Sequence, residues 1–109
     1  MSTKITIIIE NPADEAQFEA TYPEIVALAA QLPEMRRIES AKVWPKEDGT
    51  PTPAHRTLDI YFDSYEDASA AVATSIAGEF FQRLVGTGVA FSGLFSEIEQ
   101  LSRRVPGTP

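Results

Sequence analysis

Residues 56–73, RTLDIYFDSYEDASAAVA, decide the fold because a strand pattern gives way there to a helix pattern. Leu58, Ile60 and Phe62 alternate with other side chains, which predicts a strand with one apolar face. Ser64 is followed three residues later by a carboxylate, and this spacing resembles the capping box that begins a helix. The stretch therefore predicts a sheet with helices packed against one of its faces.

A similar strand and helix begin the chain. Lys4–Glu10, KITIIIE, is rich in β-branched residues and is predicted to form the first strand. Asn11 is a good N-cap and Pro12 suits the first position of a helix. We expect this helix to kink near Tyr22, or to split in two, because Pro23 lacks a backbone N–H and crowds the residue before it.

The remaining elements complete a familiar order. Their predicted positions are Met35–Trp44 for the second strand, Arg56–Phe62 for the third, Val89–Glu99 for the fourth, Pro45–Pro53 for a turn, Ser75 for a second N-cap, and Pro33 and Gly86–Gly88 for the helix ends. Imperfect alternation in the second strand leaves room for a bulge. The order β-α-β-β-α-β predicts a ferredoxin-like α+β fold, with a four-stranded antiparallel sheet and the helices on one face.

Apolar and aromatic residues occur on both faces of the predicted strands. A homodimer that packs sheet against sheet would bury the face that the helices leave open. We expect one folded domain over residues 1–99 and a polar, mobile tail over residues 100–109.

Composition weighs against several classes of function. The 109 residues carry a net charge of −7, which disfavours nucleic acid and anionic membrane surfaces as partners. The chain has no cysteine, so disulfides, thiolate catalysis and cysteine-ligated metals are excluded. Scattered carboxylates and one histidine offer no usual metal-ligand spacing. The apolar run near the N-terminus is too short for a signal peptide, and a cytoplasmic protein is predicted.

Three segments resemble the EthD family in their order and spacing. They are ADEAQFEATY at 13–22, LPEMRRIE at 32–39 and LDIYFDSYEDASAAVATS at 58–75. The resemblance implies a dimeric α+β barrel with a pocket between the helices and the sheet. It also implies a small oxygenated ring as substrate, with no metal or flavin cofactor, in pathways that degrade ethers, aromatics or lactones or that cyclise polyketides.

The sequence departs from the family pattern in the first helix. Many EthD relatives carry a His-x-Pro-Leu segment there, whereas this chain has Ile25-Val26-Ala27-Leu28. The single histidine, His55, lies in the predicted hairpin instead. The departure leaves two interpretations open, an enzyme with a different proton acceptor or a barrel without catalysis.

Three residues are candidates for acid–base chemistry. Tyr22 is predicted either to donate a hydrogen bond to a substrate carbonyl or to be a core tyrosine with a backbone partner. His55 and Asp59 are predicted as alternative proton acceptors. The competing interpretations are a solvated hairpin residue for His55 and an ion pair with an arginine for Asp59, and both are favoured.

Three further residues are predicted to bind substrate. Tyr61 faces away from the apolar strand face and could line a pocket or a dimer interface. Trp44 ends the second strand, where an interface is the more usual role. Arg37 could bind a carboxylate, although a surface or dimer contact is favoured.

The leading prediction is a homodimer that binds, and could transform, a small aromatic or lactone-like metabolite by oxidoreductase or isomerase/cyclase chemistry. The alternative is a non-catalytic structural or stress-related barrel without a small-molecule ligand.

Overall fold

The computed structural model describes residues 2–100 and residue 102. Most of the tail that the sequence predicts to be mobile, residue 101 and residues 103–109, lies outside the described residues. Residues 2–99 of the described chain belong to the domain predicted over residues 1–99.

The described chain forms four strands and three helices. In chain order they are β1 (Thr3–Ile9), α1 (Glu15–Ala29), β2 (Arg37–Lys42), β3 (Arg56–Phe62), α2 (Tyr65–Val72), α3 (Ser75–Gly86) and β4 (Phe91–Glu97). None of these helices is long and apolar enough to cross a membrane.

The strands form one antiparallel sheet in the order β2-β3-β1-β4. Ile7 of β1 lies opposite Leu58 of β3 on one side and Gly93 of β4 on the other, so these positions share the face that the helices cover. Thr6 lies opposite Asp59 and Leu94 on the other face, which is called the open face below. This arrangement confirms the predicted ferredoxin-like fold.

The core fills the space between the helices and the sheet. Its largest fully buried side chains are Ile7, Ile9, Ile25, Leu58, Ile60, Phe62, Phe80 and Leu84. The resemblance implied a pocket in this space, but the side chains from α1 and the sheet pack closely there. Three surface pockets lie at the edges of the fold instead.

Helix α1 differs from its predicted form at two points. It begins after Asp14, whose Oδ1 accepts a hydrogen bond from the backbone N–H of Gln17 at 3.1 Å. Asn11 is not the N-cap, since its side chain donates to the carbonyl of Thr52 at 2.7 Å and ties this loop to the β2–β3 hairpin. The helix also continues through Pro23 instead of splitting, because its buried stripe packs along the whole length and offsets one missing backbone bond.

Two other boundaries are corrected. Ser64 caps α2 as predicted, but Thr74 rather than Ser75 caps α3, since its hydroxyl accepts from the N–H of Ala77 at 3.3 Å. Strand β2 is shorter than the predicted Met35–Trp44 and pairs with β3 in continuous register, without a bulge.

Candidate functional site

A polar cluster joins α1 to the beginning of β3. It consists of Glu19 and Tyr22 from α1 with His55 and Arg56 at the start of β3. The sheet fixes this point of the backbone, because the N–H of His55 donates to the carbonyl of Ile9 at 2.8 Å. The cluster therefore stands on a rigid support rather than on a free loop.

Glu19 and Arg56 form a two-pronged ion pair. Arg56 Nε lies 2.8 Å from Glu19 Oε2, and Arg56 Nη2 lies 2.6 Å from Oε1. The guanidinium also lies over the ring of Tyr22, 4.5 Å from its centre. The hydrogen bond from Arg56 and the weaker one from His55 lower the pKa of Glu19 from 4.5 to about 2, against the opposing effect of burial. Glu19 is therefore a carboxylate at neutral pH.

His55 is buried, with 7% of its surface exposed, so the favoured interpretation as a solvated hairpin residue is wrong. Its Nε2 lies 3.2 Å from Glu19 Oε2, and the edge of its ring meets Phe18 at 5.6 Å between ring centres. An ionised carboxylate can only accept, so Nε2 must carry a proton. In the neutral ring, Nδ1 is then the hydrogen-bond acceptor.

A pocket of about 660 Å³ opens beside His55, under the β2–β3 hairpin. Its apolar walls include Val43, Trp44, Pro45, Pro51 and Ala54. Its polar lining includes Asn11 and the ion pair between Lys42 Nζ and Glu15, whose atoms lie 3.2 Å apart. His55 is thus a buried, hydrogen-bonded titratable group in the wall of a largely apolar pocket.

Tyr22 does not line this pocket. It is a buried residue whose hydroxyl lies 2.7 Å from Ser40 Oγ, so its partner is a side chain and not the predicted backbone group. Burial raises the pKa of Tyr22, so the phenol stays protonated. The predicted contact between Tyr22 and a substrate stays a prediction. In the structure, the ring of Tyr22 packs against the guanidinium of Arg56.

The other predicted acid–base residue, Asp59, lies on the open face. Its Oδ1 accepts from Thr6 Oγ1 at 2.5 Å and lies 3.9 Å from Lys4 Nζ. The favoured ion pair with an arginine is therefore wrong, since the neighbouring cation is a lysine. Asp59 and Tyr22 stand on opposite sides of the sheet and do not form one site within a protomer.

Tyr61 and Arg37 also lie on the open face. The Tyr61 hydroxyl donates to Glu39 at 2.7 Å, which raises the pKa of the phenol. Arg37 lies over the Tyr61 ring, 4.2 Å from its centre. Trp44 alone of the three predicted binding residues lines the pocket, and it is 86% exposed at the rim.

Sequence reasoning missed Glu19, Arg56 and Ser40. Glu19 and Arg56 are separated by 37 residues, and nothing in either segment indicates the other. The one available signal is that Glu19 stands beside the apolar stripe of α1, where a carboxylate needs a partner.

Within the described residues, no group of three or more Asp, Glu or His side chains could hold a metal ion.

No family model matches the chain. A curated relative, the uncharacterized 11.0 kDa protein in the thcB-thcC intergenic region of Rhodococcus erythropolis, is 33% identical over 72 residues. The match covers 65% of this chain and 69% of that protein.

Solved structures show the same fold. An EthD family protein from Bacillus halodurans has a TM-score of 0.81 at 18% identity, covering 90% of this chain and 99% of that one. A variant of SnoaB, a cofactor-independent oxygenase from Streptomyces nogalater, has a TM-score of 0.67 at 12% identity, covering 92% and 95%. A dimeric ferredoxin-like protein of unknown function from Bacteroides fragilis has a TM-score of 0.66 at 12% identity, covering 89% and 96%. At these identities the likeness concerns the fold, and it confirms the resemblance to EthD proteins at that level.

Proposed function

Because the chain belongs to the family of the uncharacterized 11.0 kDa protein of Rhodococcus erythropolis and shares the fold of EthD family proteins, we propose that it binds a small aromatic or lactone-like metabolite. In this proposal the protein is a cytoplasmic homodimer that needs neither metal nor flavin. The observation that carries this proposal is buried His55, held by Glu19 in the wall of the hairpin pocket.

The pocket suits a small oxygenated ring. Its volume of about 660 Å³ is within the usual range for small-molecule sites. Trp44, Pro45 and Pro51 offer flat apolar surfaces for the faces of a ring. A ring with one polar edge would place that edge toward His55 and Lys42, which line the same pocket.

His55 supplies the chemistry in this proposal. Nδ1 accepts a hydrogen bond, or the proton, from a ligand hydroxyl, and the carboxylate of Glu19 stabilises the imidazolium that forms. Binding needs only the hydrogen bond, whereas isomerisation or cyclisation of the ring, or its oxidation by molecular oxygen as the electron acceptor, would begin with the proton transfer. SnoaB, which shares the fold, is described as a cofactor-independent oxygenase, and this supports the absence of a cofactor from the proposal.

The binding proposal predicts that the single tryptophan reports ligand occupancy. A panel of small phenols and lactones should contain compounds that change Trp44 fluorescence saturably and raise the melting temperature by several degrees. Trp44→Ala and His55→Gln should each weaken the best compound about tenfold or more, an effect of ~1.4 kcal/mol. For Trp44→Ala the readout is the thermal shift.

A matched control is Tyr65→Ala, which removes an exposed aromatic residue that does not line the hairpin pocket. Binding that resists both pocket substitutions would contradict this site. A panel without any saturable compound would favour the structural barrel.

The structural barrel stays the second candidate because one observation favours it. The space between α1 and the sheet, where the resemblance implied a pocket, is filled by core side chains such as Ile25 and Leu58. A protein of this kind would fold, dimerise and bind none of the compounds.

The proposed homodimer uses the open face of the sheet. Ile8, Ala41 and Leu94 give this face an apolar component, while Lys4–Asp59 and Arg37–Glu39 contribute paired charges. The ferredoxin-like protein from Bacteroides fragilis is described as dimeric, which supports the proposal.

We expect light scattering at micromolar concentration to give about 24 kDa, twice the 11.9 kDa of the chain. Leu94→Lys should shift the mass toward the monomer, because a buried interface would then hold an unpaired charge. Val85→Lys, on the exposed side of α3, is the control and should leave the dimer intact. A wild-type mass near 12 kDa would refute the dimer.

A further inference from the structure

We propose that Arg56 is the positioning residue of the hairpin pocket, because it fixes the carboxylate of Glu19 in the place from which Glu19 orients His55. This inference rests on the proposed role of His55 as proton acceptor. It adds an electrostatic function that the pocket lining does not show, since Arg56 is not among the residues that line the pocket.

The contacts of Arg56 hold Glu19 and His55 in a fixed geometry. Arg56 holds both oxygens of Glu19, and Oε2 accepts from Arg56 Nε and from His55 Nε2 together. The backbone of Arg56 pairs with Ile9 of β1 and with Lys42 of β2, so its Cα is fixed by strands on both sides. With the guanidinium also held against the Tyr22 ring, the carboxylate has one orientation, and so does the imidazole.

Arg56 also balances the charge of Glu19 beside His55. The charged groups around His55 are Glu19 on α1, Arg56 on β3, and the Glu15–Lys42 pair across the pocket. The latter pair is internally neutral. If Arg56 were absent, the negative charge of Glu19 would face His55 without compensation. With Arg56 in place, that charge is balanced while Glu19 keeps its hydrogen bond to His55 Nε2, so Nδ1 is the ring atom left to accept from a ligand.

An arginine suits position 56 better than a lysine. Its planar guanidinium offers parallel N–H donors to both carboxylate oxygens and can stack on an aromatic ring at the same time. A lysine would supply the charge but neither the two-pronged contact nor the stacking. Arg56→Lys should therefore restore the charge balance while losing part of the orientation.

The chain has a single histidine, so the ring nitrogens of His55 can be followed by NMR without assignment ambiguity. We expect the neutral ring of the ligand-free protein to be the Nε2–H tautomer. In folded Arg56→Met, the Nε2–H signal of the neutral ring should weaken and the Nδ1–H tautomer should appear beside it, because the carboxylate of Glu19 is no longer held in one place. Arg56→Lys should give an intermediate Nε2–H signal, because an ammonium restores the charge but not the two-pronged contact.

The control is Arg83→Met, which removes an exposed arginine whose partner is Glu24 on the surface. It should leave the His55 spectrum unchanged. An Nδ1–H tautomer in the wild type, or an unchanged ratio of the two neutral tautomers in folded Arg56→Met, would overturn the inference. The tautomer measurement on the wild type and the Arg56→Lys spectrum decide the question if Arg56→Met does not fold.

These spectra are recorded without ligand, so they separate this inference from the proposed function. If the His55 spectrum changes in the Arg56 variants but no compound binds, the proposed function fails while the role of Arg56 stands. If compounds bind through Trp44 and His55 but the His55 spectrum does not change in the Arg56 variants, the proposed function stands and the role of Arg56 fails.

Discussion

Replacing Phe18 by alanine is expected to lower the free energy of unfolding by about 3–5 kcal/mol, the usual cost of removing a buried phenylalanine. Phe18 is almost fully buried, stacks on Tyr22 at 5.5 Å between ring centres, and meets the ring of His55 edge-on. Its loss leaves a cavity beneath both residues. In a domain of this size the melting temperature should fall on the order of 10–20 °C in calorimetry or circular dichroism.

The matched control is Phe95→Ala. Phe95 is 44% exposed and its ring contacts Tyr65 at the surface, so we expect a cost of about 1 kcal/mol or less. Equal costs for the two substitutions would contradict the assignment of Phe18 to the core. The comparison also bears on function, since Phe18 is the link between the apolar core and the wall of the hairpin pocket.

The strands were predictable because their apolar residues alternate with other residues wherever one face of the sheet is buried. Leu58, Ile60 and Phe62 alternate in the sequence, and they alternate toward the helices in the structure. The predicted boundaries of β3 match the observed strand, and the open face carries Asp59 and Tyr61 as the alternation requires. A period of two has little ambiguity when one face of a sheet is buried.

The beginning of α1 was not predictable from local preference. Asn11 and Asp14 are both good N-caps, and the choice between them depends on Thr52, which engages the side chain of Asn11 from a distant hairpin. The continuous course through Pro23 likewise depends on packing that only the folded core supplies. Local rules rank such alternatives, but tertiary contacts decide among them.

The candidate site was only half predictable. His55 and Trp44 were selected for their chemistry, and both line the pocket. The burial of His55 follows from contacts with Phe18 and Glu19, which lie 36 or more residues earlier and carry no sequence signal of the partnership. Tyr22 and Asp59 were predicted to act in one site, but they lie on opposite sides of the sheet.

The structure places its polar chemistry at the ends of elements rather than in their middles. His55 and Arg56 stand where the hairpin enters β3, and Glu19 stands in the early part of α1. At such positions a side chain can touch the core on one side and a pocket on the other, so one ion pair can act on both stability and chemistry. Glu19 therefore offers a test of the site that needs no ligand.

Acidification is expected to remove the stability that Glu19 contributes. The Arg56 hydrogen bond, foremost, lowers the pKa of Glu19 from 4.5 to about 2 in the folded chain. A depressed folded-state pKa means that this stability is fully present above about pH 4.5 and is lost as the pH falls through 4.5 toward 2. The full shift corresponds to about 3 kcal/mol, and partial exposure of the carboxylate makes about 2 kcal/mol the expected loss.

Glu19→Gln should flatten this part of the profile of unfolding free energy against pH and should lower the stability at pH 7, because Arg56 then lacks a charged partner. Glu24→Gln is the matched control on the same helix. Its carboxylate pairs with Arg83, and both side chains are more than half exposed, so the change should stay within about 0.5 kcal/mol.

Denaturant unfolding at a series of pH values measures all three proteins. If the wild type and Glu19→Gln lost stability in parallel between pH 5 and about pH 2, the Glu19–Arg56 pair would not be the buried electrostatic link between core and pocket, because only the carboxylate of Glu19 distinguishes the two proteins there.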